Sequence, residues 1–373
     1  MASFADFGVQ HIVMLLVGAL LIYLAIEKEC EPNLLLAMGF GTILANLPLS
    51  SAVDQMADGN MIEGALSILF NAGIANELFP LLVFVAIGAM CDFAPLLGNP
   101  KMFIFGFTAQ AGIFLTMGIA YFFLDFSVKE SAAIGIIGAA DGPTAIYVAN
   151  RFAENLLGPI SVAAYTYMAA VPIIQPPVVK LLTTKKERQM KMPYVHKEVS
   201  RRTLVLFPIV VTIVAGLIAP ASVALIGFLM FGNMLRVSGV TDRLSQAAQN
   251  ELANIVTILL GLAIARKMTG TEFANPTTLL ILLLGVIAFA LDTAGGVLSA
   301  KVLNIFLPEG HKVNPIVGAA GISAFPMAAR VAQKMGQEAD KSNFLLMHGI
   351  SANVAGQIGS VIAGGVLLAF LGG

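Results

Sequence analysis

Ala133-Ile-Gly-Ile-Ile-Gly-Ala-Ala-Asp141-Gly142-Pro143-Thr144 and Asn314-Pro315-Ile-Val-Gly318-Ala-Ala-Gly321-Ile-Ser323-Ala-Phe-Pro326 are the two stretches on which the fold turns. Each lies inside an apolar run and interrupts it with glycine and proline. Proline removes an amide donor and clashes with the preceding turn, so both stretches read as helix breaks that leave carbonyls free. In hydrocarbon, unpaired backbone is tolerated only where it is buried in protein or lines a wet cavity. Freed carbonyls at a broken helix are oxygen ligands for a hard cation, and half-helix ends add favourable dipoles.

The surrounding composition is that of a bilayer protein. Of 373 residues, 58% are hydrophobic and 12% charged, against roughly 45–50% and 25% in ordinary soluble domains. A net charge of -1 without a sustained basic tract excludes nucleic acid as a partner, because phosphate binding needs clustered Lys and Arg. Cys30 and Cys91 are too few for a disulfide framework and have no metal-ligand spacing, which leaves them as packing residues. No Walker A, G-x-S-x-G or H-E-x-x-H motif is present, so any reactive group must be brought to the chain.

A helix needs about 20 apolar residues to cross the hydrocarbon layer. Such runs fall at 9–26, 33–50, 77–97, 102–124, 130–150, 158–183, 204–219, 221–236, 252–267, 276–306, 313–335 and 343–371. The run Ala65 to Phe70, preceded by Asp58 and Glu63, is too short to cross and suits a re-entrant or interfacial piece. The expected fold is an all-α polytopic membrane protein of about 11–12 segments. Lys185 to Arg202 is the one long polar connection; its seven Lys and Arg against two Glu place it in the cytoplasm by the positive-inside rule. It divides the chain into a first membrane repeat (1–184), a basic loop (185–202) and a second repeat (203–373).

Those halves echo each other in order. Asn76-Glu77-Leu78 matches Asn250-Glu251-Leu252, Gly138-Ala-Ala matches Gly318-Ala-Ala, Thr108-Ala109 matches Thr293-Ala294, and Ala149-Asn-Arg151 matches Ala328-Ala-Arg330. Internal repeats with the substrate site at their interface are the architecture of many secondary transporters. Six full crossings per half would make the repeats parallel; a re-entrant hairpin as the fifth element would make them inverted. The fifth element is the broken one in both halves, which favours inversion.

Asp141 is the first candidate ion ligand. An ionised carboxylate at membrane depth costs several kcal/mol, and a bound cation or proton neutralises it; the competing reading is a hydrogen-bonded acid that only stabilises the break. Asn314 and Ser323 offer neutral oxygens on the second break, and Asn353 an amide midway along the last segment. One carboxylate among neutral oxygens suits a monovalent alkali cation, since a divalent one would recruit more acids. Tyr167 is a candidate ligand or proton relay, or a hydrogen-bonded core tyrosine. Asp292 reads equally as a second ion or proton site and as a cap on a tight helix crossing. Arg330 and Lys334 share a helix face at i, i+4; Arg330 either holds an anion or snorkels to the interface. His11, His311 and His348 read as structural.

Gly-Ala-Ala-Asp141-Gly-Pro-Thr, Gly232-Asn233-Met-Leu-Arg236-Val-Ser-Gly-Val, the stretch from Asn314 to Arg330, and Asn353-Val-Ala-Gly356 together resemble the β subunit of the biotin-dependent sodium-pumping decarboxylases that act on oxaloacetate, methylmalonyl-CoA or glutaconyl-CoA. The likeness covers essentially the whole chain. It implies that a carboxyltransferase α subunit passes carboxylate to biotin on a carrier protein. The β subunit then decarboxylates carboxybiotin while exporting Na+ and drawing a proton from the outer side. It further implies a small γ membrane subunit, a β homo-oligomer and a place in the bacterial inner membrane. By the resemblance, the sodium site maps to Asp141, Asn314 and Asn353; Ser323 and Tyr167 handle ion or proton, and Arg330 contacts carboxybiotin. The chain starts almost directly at its first span, as the compact members do, which is the expectation for a CoA-ester enzyme. A stand-alone cation/proton antiporter would use the same breaks and acid, whereas a passive anchor would not explain Asp141 and Asp292.

Overall fold

The computed structural model describes residues 7–29, 31–57, 60–193, 197–308 and 310–372; Cys30 and Asp58 lie outside the described residues. Among these, the elements are helical apart from one antiparallel hairpin in which Gln55–Ala57 pairs with Asn60–Ile62. Among the described residues seven helices are long and apolar enough to cross a membrane, nine when each of two bent pairs counts as one span. Their outward faces carry large apolar side chains, among them Leu16, Phe122, Phe123, Leu217, Ile305 and Phe306. An apolar surface so widely spread is foreign to soluble monomers and natural against lipid tails. The protein is a multi-pass membrane protein.

Three of the expected runs change length or bend. The run at 33–50 shortens to Pro32–Ala45. Ala65–Phe70 lies in helix Ala65–Gly73, which meets Leu78–Met90 across a 62° bend, the form of a re-entrant loop or of a broken span. Asn76 shapes that bend by capping Leu78 N and reaching back to Ala72 O. Asn150 Nδ2 holds Ile74 O at 3.1 Å, and Arg151 pairs with Glu77. The run at 158–183 bends by 71° between Ala169 and Val171, where Pro172 opens the next helix.

The breaks themselves form hairpins. In the first, Val128–Gly135 runs inward and Gly142–Phe152 runs out. Its two ends meet at one end of the bundle, where Asn155 Nδ2 reaches Glu130 Oε1 at 3.4 Å and Lys129 Nζ lies 5.8 Å from the Phe152 ring centre. In the second, Pro315–Ala319 leads in and Met327–Ala339 leads out. There Asn314 and Asn343, flanking the hairpin, donate to the same two carbonyls, Arg188 O and Met190 O. The helical pair from Glu154 to Leu182 connects the mouth of the first hairpin to residues 183–192, a strap that lies across the mouth of the second. The tips of the two hairpins touch where Ser323 N donates to Ala139 O at 2.9 Å.

The last helix, Leu346–Leu371, runs past both tips and meets its neighbours backbone to backbone. A Cβ on Gly359 would stand 2.2 Å from Gly106 O, and one on Gly356 2.3 Å from Gly321 O. Small residues allow such approach, as at many helix contacts in membranes.

Candidate functional site

Asp141 precedes the outward arm of the first hairpin as its N-cap, with Ala140 before it in the left-handed region at φ 53. Asp141 is buried. Its Oδ1 accepts from Thr144 N at 3.2 Å, and Oδ2 accepts from the hydroxyls of Thr144 and Ser360, both at 2.7 Å. An N-cap acid satisfies an orphan amide and favours the positive end of the helix. Thr144 is at N3 because Asp141 is at the cap, so the local sequence fixes half of this cluster.

The second tip and the last helix supply the rest. Ser323 Oγ donates to Gly356 O at 2.7 Å, Asn353 Nδ2 donates to Ile322 O at 2.6 Å, and Gln357 Nε2 donates to Ser323 O. Asn353, Gln357 and Ser360 stand at i, i+4 and i+7, one face of the helix. The amide nitrogens of Asn353 and Gln357 are thus committed, while Asn353 Oδ1 and Gln357 Oε1 are buried without a hydrogen-bond partner. Orphaned buried acceptors are rare in native proteins and need a reason. Among the described residues no three of His, Cys, Asp or Glu come together. The arrangement offers one carboxylate, neutral amide oxygens and hydroxyls that can donate to Asp141 while turning lone pairs to an ion, a donor set for a monovalent hard cation.

Asp141, Ser323 and Asn353 are therefore brought together, and Asn314 is not. Asn314 caps its own short helix through Oδ1 to Ile316 N at 3.0 Å and ties the strap at Arg188 O and Met190 O. Tyr167 also points elsewhere: its hydroxyl donates to Leu282 O at 2.5 Å, and its ring borders an apolar cleft with Val162, Leu279 and Leu282. Tyr165, two residues earlier, packs its ring on Gly142 beside Asp141 and carries a buried hydroxyl without a partner. Arg330 is exposed on the outward arm of the second hairpin. Asp292 is buried behind the first tip, against Gly138 and Gly112. Gln357, Ser360, Thr144 and Tyr165 had not been singled out from sequence; the i, i+4, i+7 spacing from Asn353 was the available signal for two of them.

The whole-chain match decides the family. The family described as Na+-transporting oxaloacetate decarboxylase beta subunit matches residues 10–371. This chain belongs to that family. It is 48% identical over 370 residues to the methylmalonyl-CoA decarboxylase subunit beta of Veillonella parvula, covering 99% of this chain and 95% of that one. It is 48% identical over 372 residues to the glutaconyl-CoA decarboxylase subunit beta of Acidaminococcus fermentans, covering 100% and 96%. The oxaloacetate decarboxylase beta chain of Klebsiella pneumoniae is 45% identical over 417 residues, covering 98% and 96%. The protein is thus the membrane β subunit of a Na+-transporting decarboxylase, a membership that the stand-alone antiporter reading did not require.

In this β subunit the strap over the second hairpin is fastened at several points. Gln189 Nε2 donates to Ala339 O at 2.9 Å, Glu187 pairs with Lys301 at 3.1 Å, and Lys191 pairs with Asp340 at 3.2 Å. The Ser342 hydroxyl and amide, with Lys191 beyond them, pull the Asp340 carboxyl down to about 2. A depressed acid contributes its stability above its unfolded value and loses it as pH falls through the folded one, so this tie holds through ordinary acid conditions. Asn314→Ala should cost about 1 kcal/mol from the lost cap. It should also loosen the strap, seen as faster amide exchange at Met190 to Met192, with Na+ affinity changed less than threefold. A large loss of Na+ affinity would instead place Asn314 in the ion site.

Proposed function

We propose that this β subunit decarboxylates carboxybiotin presented on a carrier protein and couples that step to Na+ export through the site at Asp141. The observation that carries the reading is the pair of buried, unpartnered amide oxygens, Asn353 Oδ1 and Gln357 Oε1, beside the one carboxylate at two touching hairpin tips. In the reaction the C–N bond of carboxybiotin breaks, CO2 leaves, and the biotin nitrogen takes a proton, drawn here from the outer side. Arg330, exposed on the arm that opens toward the strap, is the residue placed to hold the carboxylate. Ser323 positions the second tip through Gly356. Tyr167 keeps the role in proton handling that the family resemblance implies, with Tyr165 the phenol nearer Asp141.

The basic strap marks the cytoplasmic end, so the second hairpin opens inward and the first outward, in a bacterial inner membrane. We read the bent pair from Glu154 to Leu182 as a crossing, which puts the two hairpin mouths at opposite faces and makes residues 1–184 and 203–373 inverted repeats, whose relative packing exposes the site to each side in turn. Ion occupancy biases that packing only through differential affinity. An α carboxyltransferase, a biotin carrier, a small γ subunit and further β copies complete the assembly, and the α subunit chooses the acyl substrate.

The test is the decay of free carboxybiotin in vesicles holding the complex, with and without Na+. Decay should require Na+, and Asn353→Ala should raise the half-saturating Na+ concentration about tenfold, the equivalent of ~1.4 kcal/mol for one lost neutral ligand. Decay indifferent to Na+ in the unmodified protein would refute the coupling.

A further inference from the structure

Asp292 is the other carboxyl buried in the core, and the ion site does not use it. It lies within helix Pro276–Phe306, is wholly buried, and neither of its oxygens closes a hydrogen bond of acceptable geometry. Its surroundings are asymmetric. Oδ1 faces the first turn of helix Ala111–Phe123, 2.3 Å from where a Cβ on Gly112 would stand, and the amides of Gly112 and Ile113 are donors on that side of the carboxyl. Oδ2 faces the first hairpin, 2.8 Å from the Cβ position of Gly138, and the Ala288 carbonyl oxygen lies 2.9 Å from that same point. One oxygen looks toward donors and the other toward an acceptor. Thr116, one turn along the helix face from Gly112, and Thr293 beside the acid also carry buried hydroxyls without partners.

An ionised carboxylate here would have no counter-charge, and a cation on the Oδ1 side would face the positive end of a helix. A proton on Oδ2 removes the charge, which the low-polarity surroundings do not offset. We propose that Asp292 is a proton site, separate from the ion site, whose occupancy is felt through the tip of the first hairpin. Gly138, pressed against Asp292, stands three residues before Asp141, and Ala139 between them accepts from Ser323 N. Losing the proton must move the Gly138 side of the tip to bring a partner to Oδ2, and that movement reaches the contact between the two hairpins. The titratable and charged groups on the packed elements are Tyr121, exposed, on Ala111–Phe123; Lys129, Glu130, Asp141, Tyr147 and Arg151 on the first hairpin; and Glu154, Tyr165, Tyr167 and Lys180 on the bent pair. The coupling half of the proposal rests on Asp141 being the ion site; the proton half does not.

Infrared spectroscopy of the purified complex tests the proton half. The carbonyl band of a protonated carboxyl, shifting in D2O, should appear in the unmodified protein and in Asp141→Asn. It should vanish in Asp292→Asn, a neutral isostere expected to fold, and move without vanishing in Asp292→Glu. An unchanged band in Asp292→Asn overturns the proposal. For the coupling half, half-saturating Na+ in the decay assay should vary with pH in the unmodified protein and become flat in Asp292→Asn, with decay at least tenfold slower. A lost band with an unchanged pH profile would leave the proton site standing and overturn its coupling. If the unmodified protein decarboxylates without regard to Na+, the ion-site reading fails and the infrared result is untouched.

Discussion

Asp141→Asn is expected to slow Na+-stimulated carboxybiotin decay by at least about 100-fold, or ~2.7 kcal/mol, while leaving the protein assembled. Asparagine keeps the volume and one acceptor oxygen, and it is as good an N-cap as aspartate. The remaining oxygen can keep the cap to Thr144 N, and the amide nitrogen in place of Oδ2 donates to the hydroxyls of Thr144 and Ser360, which turn to accept. What disappears is the only charge among the grouped oxygens, and a cluster of neutral oxygens does not repay the dehydration of a cation at this depth. The measurement is decay at saturating Na+ alongside elution in detergent. A variant that elutes normally and decays within twofold of the parent would remove Asp141 from the ion path.

The second large effect is expected from a single methyl group. In Gly356→Ala the new Cβ would stand 2.3 Å from Gly321 O and 2.8 Å from Ile322 O, both backbone atoms of the second tip. No rotamer relieves such a contact, so the tip or the helix must retreat. The retreat breaks Ser323 Oγ to Gly356 O and Asn353 Nδ2 to Ile322 O. Overpacking of this kind costs about 1–3 kcal/mol, and here it acts on the bonds that orient the unpaired amide oxygens. Decay should fall below a tenth of the parent rate. Gly118→Ala is the control, since nothing lies within 4 Å of its Cβ position. Equal activity and melting temperature for the two variants would contradict the close-packed tip.

The breaks were legible because glycine and proline inside apolar runs have few other meanings at membrane depth. Asp141 was legible because an acid there must be neutralised. What could not be read was direction. Residues 165 and 167 are about 200° apart around a helix, and which of them faces the core depends on where the first hairpin lies; Gly142 makes room for Tyr165. Asn314 shares a break with Ser323, but nine residues of hairpin separate a mouth from a tip, and only the folded strap shows which end it occupies. The bend before Leu78 is set by Asn150 and Arg151, contributed from more than seventy residues away. The run at Ala65–Phe70 reads as an isolated short piece because helix Leu78–Met90 is joined to it only through that bend.

The contacts of the last helix through Gly356 and Gly359 have a mechanical consequence. Surfaces joined by interdigitated side chains behave like meshed teeth, and shifting them requires disengagement. Leu346–Leu371 presents bare backbone to Gly106 and Gly321 along this stretch, so it works as a smooth bearing. The latches are the polar bonds of Ser323, Asn353, Gln357 and Ser360, and the same groups that would greet an ion are the ones whose release would let the bearing turn.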